Sequence, residues 1–159
     1  MSALHRSLTK RWLAKKAHDE DPLIPIDGSP AALRALAWAL EVVRGHADGQ
    51  VHVLNVQSPM LHPWPGRLLS PDMIAAELRS EGQKLLVQPE IMARAEGLAR
   101  VPEVRIGAAA EVIANYAAEQ RCDAIVMGSR GMGAVSALVM GSVAQKVVHL
   151  ASVPVTLVK

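Results

Sequence analysis

Aromatic residues are scarce in this chain: its 159 residues include three Trp, one Tyr and no Phe. A core of the size that this length allows must therefore be built from Ala, Val, Leu, Ile and Met, which suits small helices packed on a sheet. No apolar run approaches the ~20 residues that a membrane span needs, and the N-terminus lacks the apolar stretch of a signal peptide. We therefore expect no stable membrane insertion.

Cysteine is nearly absent as well. Cys122 is the single cysteine, so an intramolecular disulfide is impossible and the reducing cytoplasm is the expected location. No His or Lys adjoins Cys122 in sequence to lower its pKa, and we expect this thiol to be unreactive.

Three kinds of catalytic signature are missing from the sequence. The six histidines form no H-x-H or H-E-x-x-H pair, which argues against a zinc site bound by the protein. No G-x-S-x-G motif exposes a nucleophilic serine. Neither a G-x4-G-K-[ST] loop nor a G-x-G-x-x-G pattern after the first predicted strand occurs, so a P-loop is excluded and a dinucleotide site is disfavoured.

Charge is unevenly distributed along the chain. Residues 1 to 18 hold five basic residues and no acidic one, which leaves a net charge of −3 on the remainder and argues against nucleic acid as its partner. Leu4, Leu8 and Trp12 are spaced as in a basic amphipathic helix that touches a membrane surface or a polyanion. A poorly ordered arm is the interpretation that we favour. We predict a basic N-terminal arm over residues 1–20 and an α/β domain over residues 21–159.

From residue 22 onward, short apolar runs alternate with amphipathic helices. The strands are predicted at 22–27, 51–56, 103–106, 124–127 and 154–159. Helices are predicted to begin at Pro30, Pro71, Ala109 and near Ser142, the first two after the N-cap residues Ser29 and Ser70. We expect a kink or break at Pro89, inside the second helix. The alternation predicts an α/β fold with an open parallel sheet and helices on both faces.

One glycine-containing stretch, residues 128–142, follows the fourth predicted strand. Gly128, Gly131, Gly141 and Ser142 have the spacing G-x2-G-x9-G-S. Glycine lets a ligand approach the main chain closely, and a helix that begins near Ser142 would direct its amides and positive dipole end toward a phosphate. Arg130 adds a positive charge, and Ser142 either caps the helix, donates its hydroxyl to a phosphate, or does both.

The position of this stretch favours a ligand site. Ligands of open parallel sheets bind beyond the carboxyl ends of the strands, where the strand order reverses. Asp27, Val56 and Gly128 end or follow three of the predicted strands and should lie at that edge. The competing interpretation is that the glycines only allow a long loop to pack tightly.

The chain resembles the universal stress protein family. The resemblance extends from Leu23 to Lys159 and is carried by the segments LIPIDGSPAALRALAWA, DAIVMGSRG and GSVAQKVVHLASVPVTLVK. The nucleotide-binding members of that family have G-x2-G-x9-G-[ST], which is complete here. The resemblance implies a five-stranded parallel sheet of order 3-2-1-4-5, and homodimers that pair their last strands, here around residues 153–158.

The resemblance also implies an ATP site. Asp27 would hold the nucleoside and a Mg²⁺ ion that accompanies it, and the main chain of Val56 would meet the adenine. The remaining implied residues line the pocket (Pro25, Ile26), lie against the ribose (Met127, Gly128) or hold the phosphates (Gly131, Gly141, Ser142, Val143), with Arg130 among them.

Three functions are compatible with these features. The first is a cytoplasmic, dimeric ATP-binding regulator of the stress response. It would hydrolyse ATP slowly at most, because Asp27 is the only acid expected at the crevice and hydrolysis needs a positioned water. The second is a nucleotide-free dimeric module that recruits a protein partner through its surface or its basic arm. The third is an ATP pyrophosphatase or nucleotidyl transferase, for which no additional catalytic signature occurs.

Overall fold

The computed structural model describes residues 21–44, 50–59, 70–97, 99–132 and 140–159, except for the side chains of residues 99 and 100. The predicted arm, residues 1–20, and residues 133–139 of the glycine-containing stretch lie outside the described residues. Within these ranges, strands and helices alternate along the chain. They are β1 (Pro22–Pro25), α1 (Pro30–Val43), β2 (Gln50–Gln57), α2 (Pro71–Ala95), β3 (Ala99–Ile106), α3 (Ala109–Glu119), β4 (Ala124–Gly128), α4 (Ser142–Leu150) and β5 (Val155–Val158).

The described strands form one parallel sheet of order β3-β2-β1-β4-β5. The centre of the sheet is β1, where Leu23 pairs with His52 of β2 on one side and with Ile125 of β4 on the other. The chain builds one half of the sheet from β1 to β3 and then crosses over to β4. This order confirms the predicted fold.

The two faces of the sheet carry separate cores because successive strand residues point to opposite faces. On one face, Val51 and Val53 of β2 pack with buried residues of α1 and α2, among them Leu36 and Leu86. On the other face, Leu54 packs with buried residues of α3 and α4. Strands buried on both faces explain the near-continuous apolar runs of the sequence.

Two helix starts are formed as the sequence predicts. The Ser29 hydroxyl accepts a hydrogen bond from the Ala32 amide at 3.2 Å, and the Ser70 hydroxyl accepts one from the Met73 amide at 3.3 Å. Each serine has extended backbone angles and precedes a proline in the first turn, so each is an N-cap.

The third strand is longer than predicted. It spans Ala99–Ile106 rather than 103–106, and all of its residues pair with Gln50–Gln57. The polar residue Arg100 and Pro102 hide this strand from an analysis of apolar runs. Because β3 is an edge strand, the missing N–H of Pro102 can face away from its partner.

The second helix does not break at Pro89. It is continuous over 25 residues, from Pro71 to Ala95, and Pro89 is buried. Of the predicted kink or break, the break does not occur: a proline inside a helix costs ~3 kcal/mol, but Leu78, Leu86 and Ala93 are buried along the same helix, and this tertiary packing holds it together. None of the described helices combines the length and apolarity that crossing a membrane requires.

Candidate functional site

A cavity of about 560 Å³ opens at the carboxyl ends of β1, β2 and β4. The chain leaves β1 toward β2 and later returns to the other side of β1 with β4, so this edge is the point where the strand order reverses and where such sheets bind ligands. Every residue that the sequence analysis assigned to the site lines this cavity: Pro25, Ile26, Asp27, Val56, Met127, Gly128, Arg130, Gly131, Gly141, Ser142 and Val143.

The carboxylate of Asp27 joins two loops at the mouth of the cavity. Its Oδ1 accepts a hydrogen bond from the Ser29 amide at 2.9 Å, within the loop between β1 and α1. Its Oδ2 accepts a hydrogen bond from the Met132 amide at 3.1 Å, in the loop that follows β4. Each oxygen keeps lone-pair capacity for a further donor or a cation, so Asp27 orders the loops and remains available to a ligand.

Gly131 is required by this arrangement. A Cβ atom at Gly131 would lie 2.5 Å from Oδ2 of Asp27, closer than real Cβ contacts come. The missing side chain therefore lets the loop after β4 approach the carboxylate. Gly128 likewise permits a close approach, here between the end of β4 and the first turn of α1, because a Cβ at Gly128 would lie 2.9 Å from the carbonyl carbon of Ala31.

The N-terminus of α4 is open toward the cavity. Gly141 is its N-cap residue and provides no side-chain hydrogen bond, while the Gly141 amide donates to the Ser129 carbonyl at 2.9 Å. Ser142 is the first helical residue and Gly141 occupies the N-cap position, so of the two roles offered for Ser142 the cap does not apply, and donation of its hydroxyl to a phosphate stays a prediction. The amides of the first turn keep their partial positive charge for a ligand. Arg130, half-buried, provides the positive side chain among the described cavity residues.

The end of β2 contributes a chain of amide groups. Asn55 is 1% exposed, and its Nδ2 donates to the Ile26 carbonyl at 2.7 Å. Its Oδ1 accepts from Nε2 of Gln57 at 2.8 Å. Gln57 is half-buried and lines the cavity next to Val56. The polar groups of Asn55 are therefore bonded within the protein, whereas Gln57 extends the chain of amides to the cavity surface.

Several cavity residues were missed by the sequence analysis. They include Leu54, Asn55, Gln57, Ser58, Leu85, Ala109, Ile113 and Met132. The sequence did contain a signal for Asn55 and Gln57, because these two polar residues alternate with apolar ones at the end of an otherwise apolar strand. Leu85 and Ile113 gave none, since they come from helices whose approach to the cavity depends on tertiary packing.

Comparisons with known proteins agree with this geometry. The model of the universal stress protein family matches residues 23–159. A universal stress protein of Methanocaldococcus jannaschii, MJ0531, is 33% identical over 140 residues, which are 86% of this chain and 80% of that protein. A universal stress protein of Thermus aquaticus is 34% identical over 143 residues, 86% of this chain and 96% of that protein.

A solved structure extends the comparison. The universal stress protein of Archaeoglobus fulgidus in complex with dAMP is similar with a TM-score of 0.58 and 27% identity, over 87% of this chain and 97% of that chain. The family match covers the described sheet from Leu23 onward and all the cavity residues at its edge. The chain belongs to the universal stress protein family.

Proposed function

We propose that the cavity binds ATP and that the protein is an ATP-binding regulator of the stress response. The observation that carries the proposal is the convergence of distinct groups on one cavity of about 560 Å³. An uncapped helix N-terminus and Arg130 suit phosphates, Asp27 suits ribose hydroxyls, and the apolar lining suits a base. The complex of the Archaeoglobus fulgidus relative with dAMP supports an adenine nucleotide.

Each part of the nucleotide has a proposed partner in this cavity. Asp27 holds the nucleoside, and the main chain of Val56 meets the adenine. The other lining residues divide into the pocket wall (Pro25, Ile26), the surface against the ribose (Met127, Gly128) and the phosphate cradle (Arg130, Gly131, Gly141, Ser142, Val143). The close approach of the backbone at Gly131 supports this assignment, because no side chain there competes with the phosphates.

Asp27 also fits a magnesium ion bound together with ATP. Mg²⁺ is commonly held by one or two carboxylates and the substrate phosphates, and both oxygens of Asp27 can take a further partner. When bound, the ion would offset the charge of the phosphates. Among the described cavity residues Asp27 is the only carboxylate, which leaves no second acid to position a water. We therefore propose that hydrolysis is slow at most.

ATP is proposed rather than AMP because the first turn of α4, Arg130 and the bare backbone at Gly131 together offer more phosphate contacts than the single phosphate of AMP would use. Titration calorimetry of the full chain with Mg-ATP and with AMP tests this choice. We expect ATP to bind about tenfold or more tightly than AMP, as one additional charge-assisted contact suffices for that factor. Equal affinities would contradict a triphosphate site. Binding of neither would favour the nucleotide-free module that acts through its surface or its basic arm.

We also propose a homodimer that pairs the β5 strands, and a cytoplasmic location in which the lone Cys122 stays reduced. The edge position of β5 supports the dimer. The carbonyl of Pro154 accepts a hydrogen bond from β4, and that of Val158 accepts one from the residue that follows β4. The backbone groups of the alternating residues Val155 and Leu157 therefore point away from β4. Sedimentation equilibrium should give twice the chain mass of 17.0 kDa, and a monomer at micromolar concentration would reject the dimer.

A further inference from the structure

The chain of amides at the end of β2 has a fixed direction. It starts at the Ile26 carbonyl, which can only accept a hydrogen bond. The group of Asn55 that lies 2.7 Å from this oxygen must therefore be the amide nitrogen, Nδ2. If the Asn55 side chain were flipped, its oxygen would face the Ile26 carbonyl oxygen, and two buried acceptors would be left without a donor.

The direction of Asn55 in turn fixes Gln57. With Nδ2 bonded to Ile26, the Oδ1 of Asn55 faces Gln57 and needs a donor, which Nε2 of Gln57 provides at 2.8 Å. A flip of Gln57 would bring two amide oxygens together. Asn55 is 1% exposed, so water does not replace the missing donor. A backbone carbonyl thus sets the orientation of a side chain at the cavity surface, two hydrogen bonds away.

The group that remains available is the side-chain oxygen of Gln57. Gln57 lines the cavity and is half-buried, and Asn55 is the partner of its side chain among the described residues. Its Oε1 is therefore an acceptor that cannot become a donor by rotation of the amide. Gln57 follows Val56 at the end of β2, whereas α4 follows the loop after β4, and β1 lies between these two strands in the sheet.

We infer that Oε1 of Gln57 accepts a hydrogen bond from the exocyclic amine of a purine, and that the site thereby selects adenine over hypoxanthine and guanine. The inference rests on the proposed nucleotide site. Adenine presents an amine at the six-position, whereas hypoxanthine and guanine present a carbonyl oxygen there. An acceptor held in place by Ile26 and Asn55 pairs with the amine and repels the oxygen, so the discrimination has an attractive and a repulsive part.

The test compares two nucleotides and two proteins by titration calorimetry. The nucleotides are ATP and purine riboside 5′-triphosphate, which differ by the amine alone. The proteins are the wild-type chain and Gln57→Met, which keeps the side-chain length and removes the acceptor. We expect loss of the amine to weaken binding by about tenfold in the wild type, the size of one hydrogen bond, and by less than about threefold in Gln57→Met. The control Gln88→Met, on an exposed position of α2, should behave like the wild type.

The outcomes separate this inference from the proposed function. If the wild type binds ATP, and loss of the amine weakens binding by the same factor in the wild type and in Gln57→Met, the inference is overturned and the ATP site stands. If the wild type binds neither triphosphate, both are overturned. A measurement that needs no variant adds to this: inosine triphosphate should bind the wild type at least about tenfold more weakly than ATP, and equal affinity for the two would overturn the selection of adenine.

Discussion

The side chain of Asp27 and the backbone amide of Met132 are joined by a hydrogen bond of 3.1 Å across 105 residues of sequence. Since the other oxygen of Asp27 accepts from the Ser29 amide, one carboxylate holds the loop after β1 and the loop after β4 in a fixed relation. The described start of the loop after β4 is thus held against the loop after β1 without a ligand, and a bound nucleotide does not have to bring these two segments together.

Substitution of Gly131 by alanine should disrupt this relation. The new Cβ would lie 2.5 Å from Oδ2 of Asp27, so either the carboxylate or the loop must move. We expect Mg-ATP to bind at least about tenfold more weakly, which corresponds to ~1.4 kcal/mol. The residue is exposed, and the free energy of unfolding should change by no more than ~0.5 kcal/mol. Titration calorimetry measures the affinity for Mg-ATP, and urea denaturation measures the free energy of unfolding.

Gly97 offers the matching control for Gly131→Ala. It has φ +70°, with no atom within 4 Å of an added Cβ, and it follows the C-terminus of α2, away from the cavity lining. Gly97→Ala should therefore lower the stability by ~1 kcal/mol through backbone strain and leave ATP binding unchanged. If Gly131→Ala binds ATP as tightly as the wild type, the loop does not depend on the Asp27 contact.

Gly82→Ala should destabilise the protein although alanine is the better helix former. Alanine gains up to ~1 kcal/mol in helix propensity. Its Cβ, however, would lie 2.4 Å from Val104 Cγ1 and 2.6 Å from Asn55 Oδ1, and overpacking of a buried contact costs ~1–3 kcal/mol. We expect a net loss of ~1 kcal/mol in urea denaturation. Ser80→Ala, on the exposed side of the same helix, should give a small gain, and a similar gain at Gly82 would contradict the close contact between helix and sheet.

Because His52 is buried, we predict that the protein loses stability in mild acid. Its Nδ1 lies 3.1 Å from the Tyr116 hydroxyl, and both residues are buried. Burial lowers the pKa of His52, against the opposing charges of Asp21 and Glu103. The unfolded chain therefore binds the proton more readily than the folded chain does. The contribution of neutral His52 to the free energy of unfolding is complete above pH ~6.5 and is lost as the pH falls from there toward the lowered pKa.

A variant without the imidazole isolates this effect. The free energy of unfolding of the wild type should fall between pH 7 and pH 5.5, and His52→Gln should show a smaller fall, because glutamine does not titrate in this range. His149→Gln, on an exposed position of α4, should keep the wild-type dependence. Identical pH dependences for the wild type and His52→Gln would show that His52 does not contribute.

The thiol of Cys122 should resist alkylation in the folded protein. It is 3% exposed, and burial, with the charges of Asp21 and Asp123, raises its pKa to about 11. At pH 8 about one thiol in a thousand is then the reactive thiolate. Iodoacetamide should label Cys122 rapidly in urea and very slowly in buffer, as mass spectrometry would register. Equal rates would contradict the buried position.

The parts of the fold and of the site that the sequence predicts are those fixed by local chemistry. Ser29 and Ser70 could be identified as caps because a serine before a proline has one favoured use at a helix start. The spacing of Gly128, Gly131 and Gly141 predicts a ligand site because backbone without side chains between a strand and a helix permits close approach of a ligand. These signals lie within a few residues of the structure that they specify.

The parts that the sequence does not predict depend on distant contacts. The Asp27–Met132 bond and the contact of Gly82 with Asn55 join segments that no periodicity relates. The break expected at Pro89 failed because the cost of a proline is local, whereas the burial that holds α2 together is spread along the helix. Similarly, β3 is extended by its pairing with β2 rather than by its own apolar content.

A crystal structure of the full chain grown with Mg-ATP would show whether the cavity at the edge of the sheet is the nucleotide site. We predict electron density for the nucleotide in the cavity, with its phosphates against the first turn of α4 and its base at the end of β2. A cavity that contains only solvent at saturating ATP, or a nucleotide bound elsewhere on the molecule, would rule out this cavity as the ATP site.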